Sequence, residues 1–125
     1  MTLARRFVML ALALNIILLV PVLAVLLLGM PPAERGFGPL TEARLILTAI
    51  YSAIALVSAA LMALHLMRHL WAIPMTVALF AVQITYKLIT VPLVGLSNPV
   101  VIANLGVVAV QTLALALLWR GQGGD

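Results

Sequence analysis

The chain has 125 residues, 66% of them hydrophobic and 8% charged, with a net charge of +4 and no cysteine. A soluble domain carries about 25% charged residues, so this composition cannot clothe a water-facing surface, and the missing thiols exclude disulfides, thiolate metal sites and thiol chemistry. Nucleic acid is excluded as a partner because the cations sit scattered at the ends of apolar runs, where membrane topology accounts for them.

Four apolar runs fill the sequence: Phe7–Gly29, Ala43–Leu64, Trp71–Val94 and Pro99–Trp119. Each reaches the roughly 20 residues that a helix needs to cross hydrocarbon. The expected fold is all-α, a polytopic transmembrane four-helix bundle forming one membrane domain over residues 1–125, with the lipid bilayer as its surroundings.

Run 1 follows Arg5 and Arg6 and is too long for the apolar core of a signal peptide. It ends in MPPAERG without a small-x-small cleavage site, so it reads as a retained helix. It is mostly Leu, Val and Ile with a lone Asn15, which suits a helix showing much of its surface to lipid. Pro31 and Pro32 are expected to stop it, since neither continues the hydrogen-bond ladder. Pro21 falls inside it and Pro92 inside run 3. LLVPVL around Pro21 echoes LITVPLV around Pro92, but such matches come cheaply in an apolar chain and do not establish a duplication.

Thr41 is placed to cap run 2 by accepting from a free backbone N–H. Ala55, Ala59 and Ala63 recur at every fourth position, with Ser52 and Ser58 nearby. That small-xxx-small pattern marks run 2 as the expected centre of the bundle. Ala103 and Gly106 offer the same in run 4. His65 and His69 follow at a spacing that suits a metal, but no third ligand accompanies them. No metal, cofactor or catalytic residue is expected. Pro74 lies in the first turn of run 3, Gly95 is placed to end that run, and Asn98–Pro99 reads as the N-cap and first residue of run 4.

Arginine placement orients the bundle. Arg5, Arg6, Arg68 and Arg120 share one side, with Trp71 and Trp119 at the same boundary. The other side carries Arg35 and Arg44, opposed by Glu34 and Glu42, and the uncharged GLSNP turn. Both termini are therefore expected in the cytoplasm.

Polar residues gather in runs 3 and 4. Gln83 and Lys87 share a helix face, continued by Thr90; Asn104 and Gln111 share another. The GLSNP turn forces the two runs to be antiparallel neighbours. Gln83 and Gln111 are nearly equidistant from it and should meet near midplane, with Lys87 and Asn104 closer to the outer surface. A lysine at a helix centre costs about 2.5–3.5 kcal/mol on the insertion scale. Lys87 lies about 11 Å of helix below Gly95, and Glu42 is the natural counter-ion. The candidate polar site is thus Lys87, Gln83, Asn104, Gln111 and Glu42. It reads either as an outward-facing pocket for an anion or polar head group, or as a paired lysine that fixes helix register.

The polar loop MPPAERGFGPLTEAR, the short basic connection after run 2 and the very short turn VGLSNPVV together resemble the layout of DoxX-like small bacterial four-helix membrane proteins. The resemblance spans the chain as topology and implies a fold and a multi-pass place in the bacterial inner membrane. It transfers no functional residue. Four-helix drug exporters resemble the chain in size but depend on a glutamate in helix 1, where only Asn15 stands here; the Gly-rich and Thr/Ser-Phe patterns of fluoride-channel-like proteins are also missing. The leading expectation is a structural or accessory subunit, not an enzyme, working by contact with another membrane protein or by self-association. The alternative is a small oligomeric transporter or channel with its polar site around Lys87.

Overall fold

The structure, a computed structural model, describes residues 2–121. The element order is α1 (Leu3–Leu28), α2 (Pro31–Phe37), α3 (Glu42–Leu66), α4 (Ala72–Val94) and α5 (Pro99–Gly121). All but α2 are long and apolar enough to cross a membrane. The protein is an all-α, multi-pass bundle, and the four expected runs are its four long helices. α1 and α3 start earlier than their apolar runs because polar first turns are capped: Thr2 Oγ1 accepts from the Arg5 N–H at 3.2 Å and Thr41 Oγ1 from the Arg44 N–H at 3.4 Å.

Helix ends follow from local chemistry. α1 is closed by Gly29, left-handed at φ 65°, with the Met30 N–H donating to the Val25 carbonyl at 3.1 Å. Pro31 and Pro32 therefore do not stop α1. They occupy the opening positions of α2, where a missing N–H is no loss, and so a short helix stands where the sequence suggested only a polar loop. The α3–α4 connection closes in the same way as α1, with Arg68 at φ 54° and the His69 N–H donating to the Leu64 carbonyl at 2.9 Å. Asn98 caps α5, its Oδ1 accepting from the Val100 N–H at 2.8 Å, while its Nδ2 donates across to the Gly36 carbonyl at 3.0 Å. That strap holds α2 against α5 so closely that a Cβ on Gly36 would meet Val100 Cγ2 at 2.8 Å.

Going round the bundle, α1 packs against α3 and α5, and α4 closes the ring against both. α1 is thus a packing centre on one face, while Leu10, Ile17, Leu18, Val20 and Leu27 leave much of its remaining surface exposed, as expected of a helix that meets lipid. Its inner face carries Val8, Ala11, Leu12 and Asn15, at the spacing of one helix stripe. α3 buries Tyr51, Ile54, Ser58, Leu61 and His65, the alternating three-and-four spacing of knobs in a bundle seam. The alanine stripe is consequently turned away from the core: Ala59 and Ala63 are exposed and Ala55 half-buried. Small side chains fill little space between helices, and the residues that need partners, Ser58 and His65, take the inner face instead.

Two apolar clusters result. Val8, Ala11, Leu12, Leu61, Phe80 and Ala114 fill the half nearer the arginines. Leu26, Ala33, Tyr51 and Ile54 fill the half nearer α2. Phe37 brings α2 into the second cluster, its ring edge-on to Tyr51 with centroids 5.8 Å apart.

The double role of Asn98 is testable. Asn98→Ala removes a cap worth about 1 kcal/mol and the strap to α2, and should lower the thermal unfolding midpoint in detergent. Asn98→Asp keeps the cap acceptor and loses the strap donor, so its midpoint should fall between wild type and the alanine variant.

Candidate functional site

Polar groups on the inner faces occupy three levels. At the arginine end, Arg5 Nη2 donates to the His65 carbonyl at 3.0 Å, and His65 Nε2 and Thr76 Oγ1 share a hydrogen bond of 2.9 Å. His65 is buried among helices. His69 lies beyond the end of α3, exposed, its Nδ1 accepting from the Trp71 N–H at 3.2 Å. The helix ends at Leu66, so the two histidines no longer share a face. Among the described residues no group of three metal-ligating side chains forms.

The second level lies near the middle of all four long helices. Gln111 Nε2 donates to Gln83 Oε1 at 2.8 Å, the contact their equal distance from the GLSNP turn implies. The pair does not stand alone. Asn15 Nδ2 donates to Gln83 Oε1 at 2.8 Å and to Ser58 Oγ at 3.1 Å, and Asn15 Oδ1 accepts from Gln111 Nε2 at 3.3 Å. Each of the four helices contributes one side chain, and Asn15 touches the other three. Asn15 is 2% exposed. An amide left single in hydrocarbon costs several kcal/mol, which is why an asparagine on an otherwise aliphatic helix turns inward. Gln111 Oε1 is the one atom of this layer without a partner.

The third level is a cavity of about 360 Å³ between this layer and α2. Leu18, Val22 and Val25 of α1 and Val107 of α5 give it apolar walls, and Pro32, Gly36 and Phe37 of α2 form its roof. Polar atoms come from Tyr51, Tyr86, Lys87 and Asn104. Asn15 forms part of the floor. Leu18, Pro21, Pro99 and Ala103 line the cavity and are themselves exposed. They belong to α1 and α5, so the mouth opens sideways between these helices.

Lys87 is 5% exposed and sits one helical turn from Gln83. Its Nζ lies 5.9 Å from the centroid of the Tyr86 ring, at the edge of cation–π range. The expected ion pair with Glu42 does not form. Glu42 is exposed in the first turn of α3 and lines no part of the cavity. An acidic residue in a first turn is stabilised there by the helix dipole, and the buried position of that turn goes to Arg44, whose Nη1 donates to the Gly38 carbonyl at 3.1 Å. Among the described residues no carboxylate comes within ion-pairing distance of Lys87. Of the five candidate residues, then, Gln83 and Gln111 form the floor layer, Lys87 and Asn104 line the cavity above it, and Glu42 stands apart. The residues missed were Asn15, Ser58, Tyr51 and Tyr86. Asn15 carried a signal, being the lone amide of its run; the tyrosines carried none beyond their amphipathic character.

Asn15→Ala should cost about 1–2 kcal/mol, because membrane hydrogen bonds average about 0.6 kcal/mol and it removes several at once. Ser58→Ala, losing one bond, should cost about 0.6 kcal/mol. Reversible unfolding in detergent orders the two, and an Asn15→Ala/Gln111→Ala cycle should be non-additive.

Compared with known proteins, the chain matches no family model, no curated protein and no solved structure.

Proposed function

We propose that the chain is a multi-pass protein of the bacterial inner membrane, both termini cytoplasmic, that acts as a one-sided binding protein: it takes a ligand into the cavity at its outer end and passes nothing through. The observation that carries this is an open, partly polar cavity lying directly on a closed layer of hydrogen-bonded amides. Below that layer Phe80, Leu12 and Leu61 are fully buried, so no aqueous path continues toward the arginine end. The orientation rests on Arg5, Arg6, Arg68 and Arg120 at one end. The bacterial membrane rests on the DoxX-like layout and on the Ala, Leu, Val and Arg bias of the composition. The cavity is lined by a lysine, two amides and two phenols, with no carboxylate, histidine or serine among its described lining residues. Such a set fixes and orients a ligand, which favours a binding protein over an enzyme.

A second reading, an accessory subunit in contact with another membrane protein or a second copy, is favoured by a specific feature. Ala59 and Ala63 face outward on α3, and small residues spaced by four let a further helix approach closely. Native mass spectrometry after mild extraction distinguishes a lone chain from a complex.

Asn104→Cys should react with a lipid-soluble thiol reagent that enters from the bilayer, and Leu12→Cys, packed below the amide layer, should not react. Liposomes carrying the protein should show no more proton or ion leak than empty ones. A reporter fused at Gly36 should signal from outside. Labelling of Leu12→Cys or a measurable leak would replace the binding protein with a pore, and a cytoplasmic signal at Gly36 would invert the orientation.

A further inference from the structure

The binding-protein reading leaves open what the cavity holds. Three observations narrow it. Lys87 is almost wholly buried, points into the cavity and has no carboxylate partner among the described residues. A cation in hydrocarbon is costly, and removing the cost requires an anion or water. The walls offer one cation only, so they match a single negative charge. Apart from that corner, the surface is aliphatic along α1 and α5.

The third observation is the mouth. Pro32 and Pro99 are exposed at the outer end, but Leu18, Pro21 and Ala103 are exposed along the sides of α1 and α5, within the membrane-crossing spans. A ligand entering there comes from the bilayer and needs an apolar body to be dissolved in it. At about 360 Å³ the cavity lies at the small end of the range for ligand sites, roughly 300–1,000 Å³. That suits one acyl chain and is small for the two chains of a phospholipid.

Resting on the binding-protein reading, we propose that the cavity holds a single-chain carboxylate from the membrane, its anionic head against Lys87 Nζ with Asn104 as neutral donor, its chain along Leu18, Val22, Val25 and Val107. The Asn104 amide and the Tyr51 hydroxyl supply hydrogen bonds to the oxygens that the lysine does not take. Tyr86, packed beside Lys87, keeps water from the ammonium on its far side. The floor amides are spent on one another and compete little for the head group.

The test uses the full chain in nanodiscs of zwitterionic lipid, with empty discs as reference, and compares dodecanoate in its ionised form with dodecanol. Wild type should hold dodecanoate about tenfold more tightly than dodecanol, the scale of a desolvated charge-assisted hydrogen bond. Lys87→Gln should erase that preference, and Lys87→Arg should retain most of it. Because the two ligands are compared on wild type, the inference is tested even if a variant fails to fold. Equal binding of both ligands would keep the cavity as a binding site and overturn the anion. Binding of neither, with helicity intact, would remove the binding-protein reading as well. Displacement of dodecanoate by discs rich in phosphatidylglycerol, at matched surface charge, would assign the site to a phospholipid head group and overturn the single-chain ligand.

Discussion

Hydrocarbon does not solvate an amide, and this bundle is organised around that constraint. One polar side chain from each long helix converges at mid-depth: Asn15, Ser58, Gln83 and Gln111. Apolar packing alone would leave the helices free to rotate, because lipid tails are as apolar as leucine. Hydrogen bonds among the four side chains remove that freedom. They set the rotation of α1, and with it the faces of α3 and α5 that α1 meets. Asn15 reaches all three partners, so it fixes register for the whole ring. Gln111 has no freedom to turn its amide over: Asn15 Oδ1 and Gln83 Oε1 both accept from its Nε2, and reversal would set oxygen against oxygen.

Once the layer is in place, the two halves of the molecule differ. Toward the arginines, Phe80, Leu12 and Leu61 fill the interior. Toward α2, the inner face of α1 carries no fully buried residue between Asn15 and Leu26. That gap is the cavity. α2 roofs it, held by Asn98 to the Gly36 carbonyl and by Phe37 on Tyr51. A segment between two spans thereby becomes part of the cavity wall, and its glycine is required by the closeness of Val100.

Much of this was readable from residues alone. The four spans, the caps at Thr41 and Asn98, the stop at Gly95 and the pairing of Gln83 with Gln111 follow from length, from capping chemistry and from the shortness of one turn. What failed was facing. A membrane helix is apolar all round, so hydrophobic periodicity says little about which side is inside. Small-residue spacing points the alanine stripe of α3 inward, yet Ala59 and Ala63 lie outward. Charge and depth match Glu42 to Lys87, but the direction of the Glu42 side chain, outward in the first turn of α3, is not encoded in either. α2 was hidden because two prolines read as a stop are equally a start. The more dependable guide was cost: each polar residue in a span needs a partner, and Asn15 belonged in that reckoning.

The sideways mouth between α1 and α5 changes which concentration matters. A site that opens to water answers to molarity. A site whose entrance is lined by Leu18, Pro21 and Ala103 answers to mole fraction in the leaflet. Diffusion there is confined to two dimensions, and any solute is already desolvated when it arrives. Occupancy would then track the make-up of the membrane around the protein, and a solute scarce in the aqueous phase would still saturate the cavity if it partitions well.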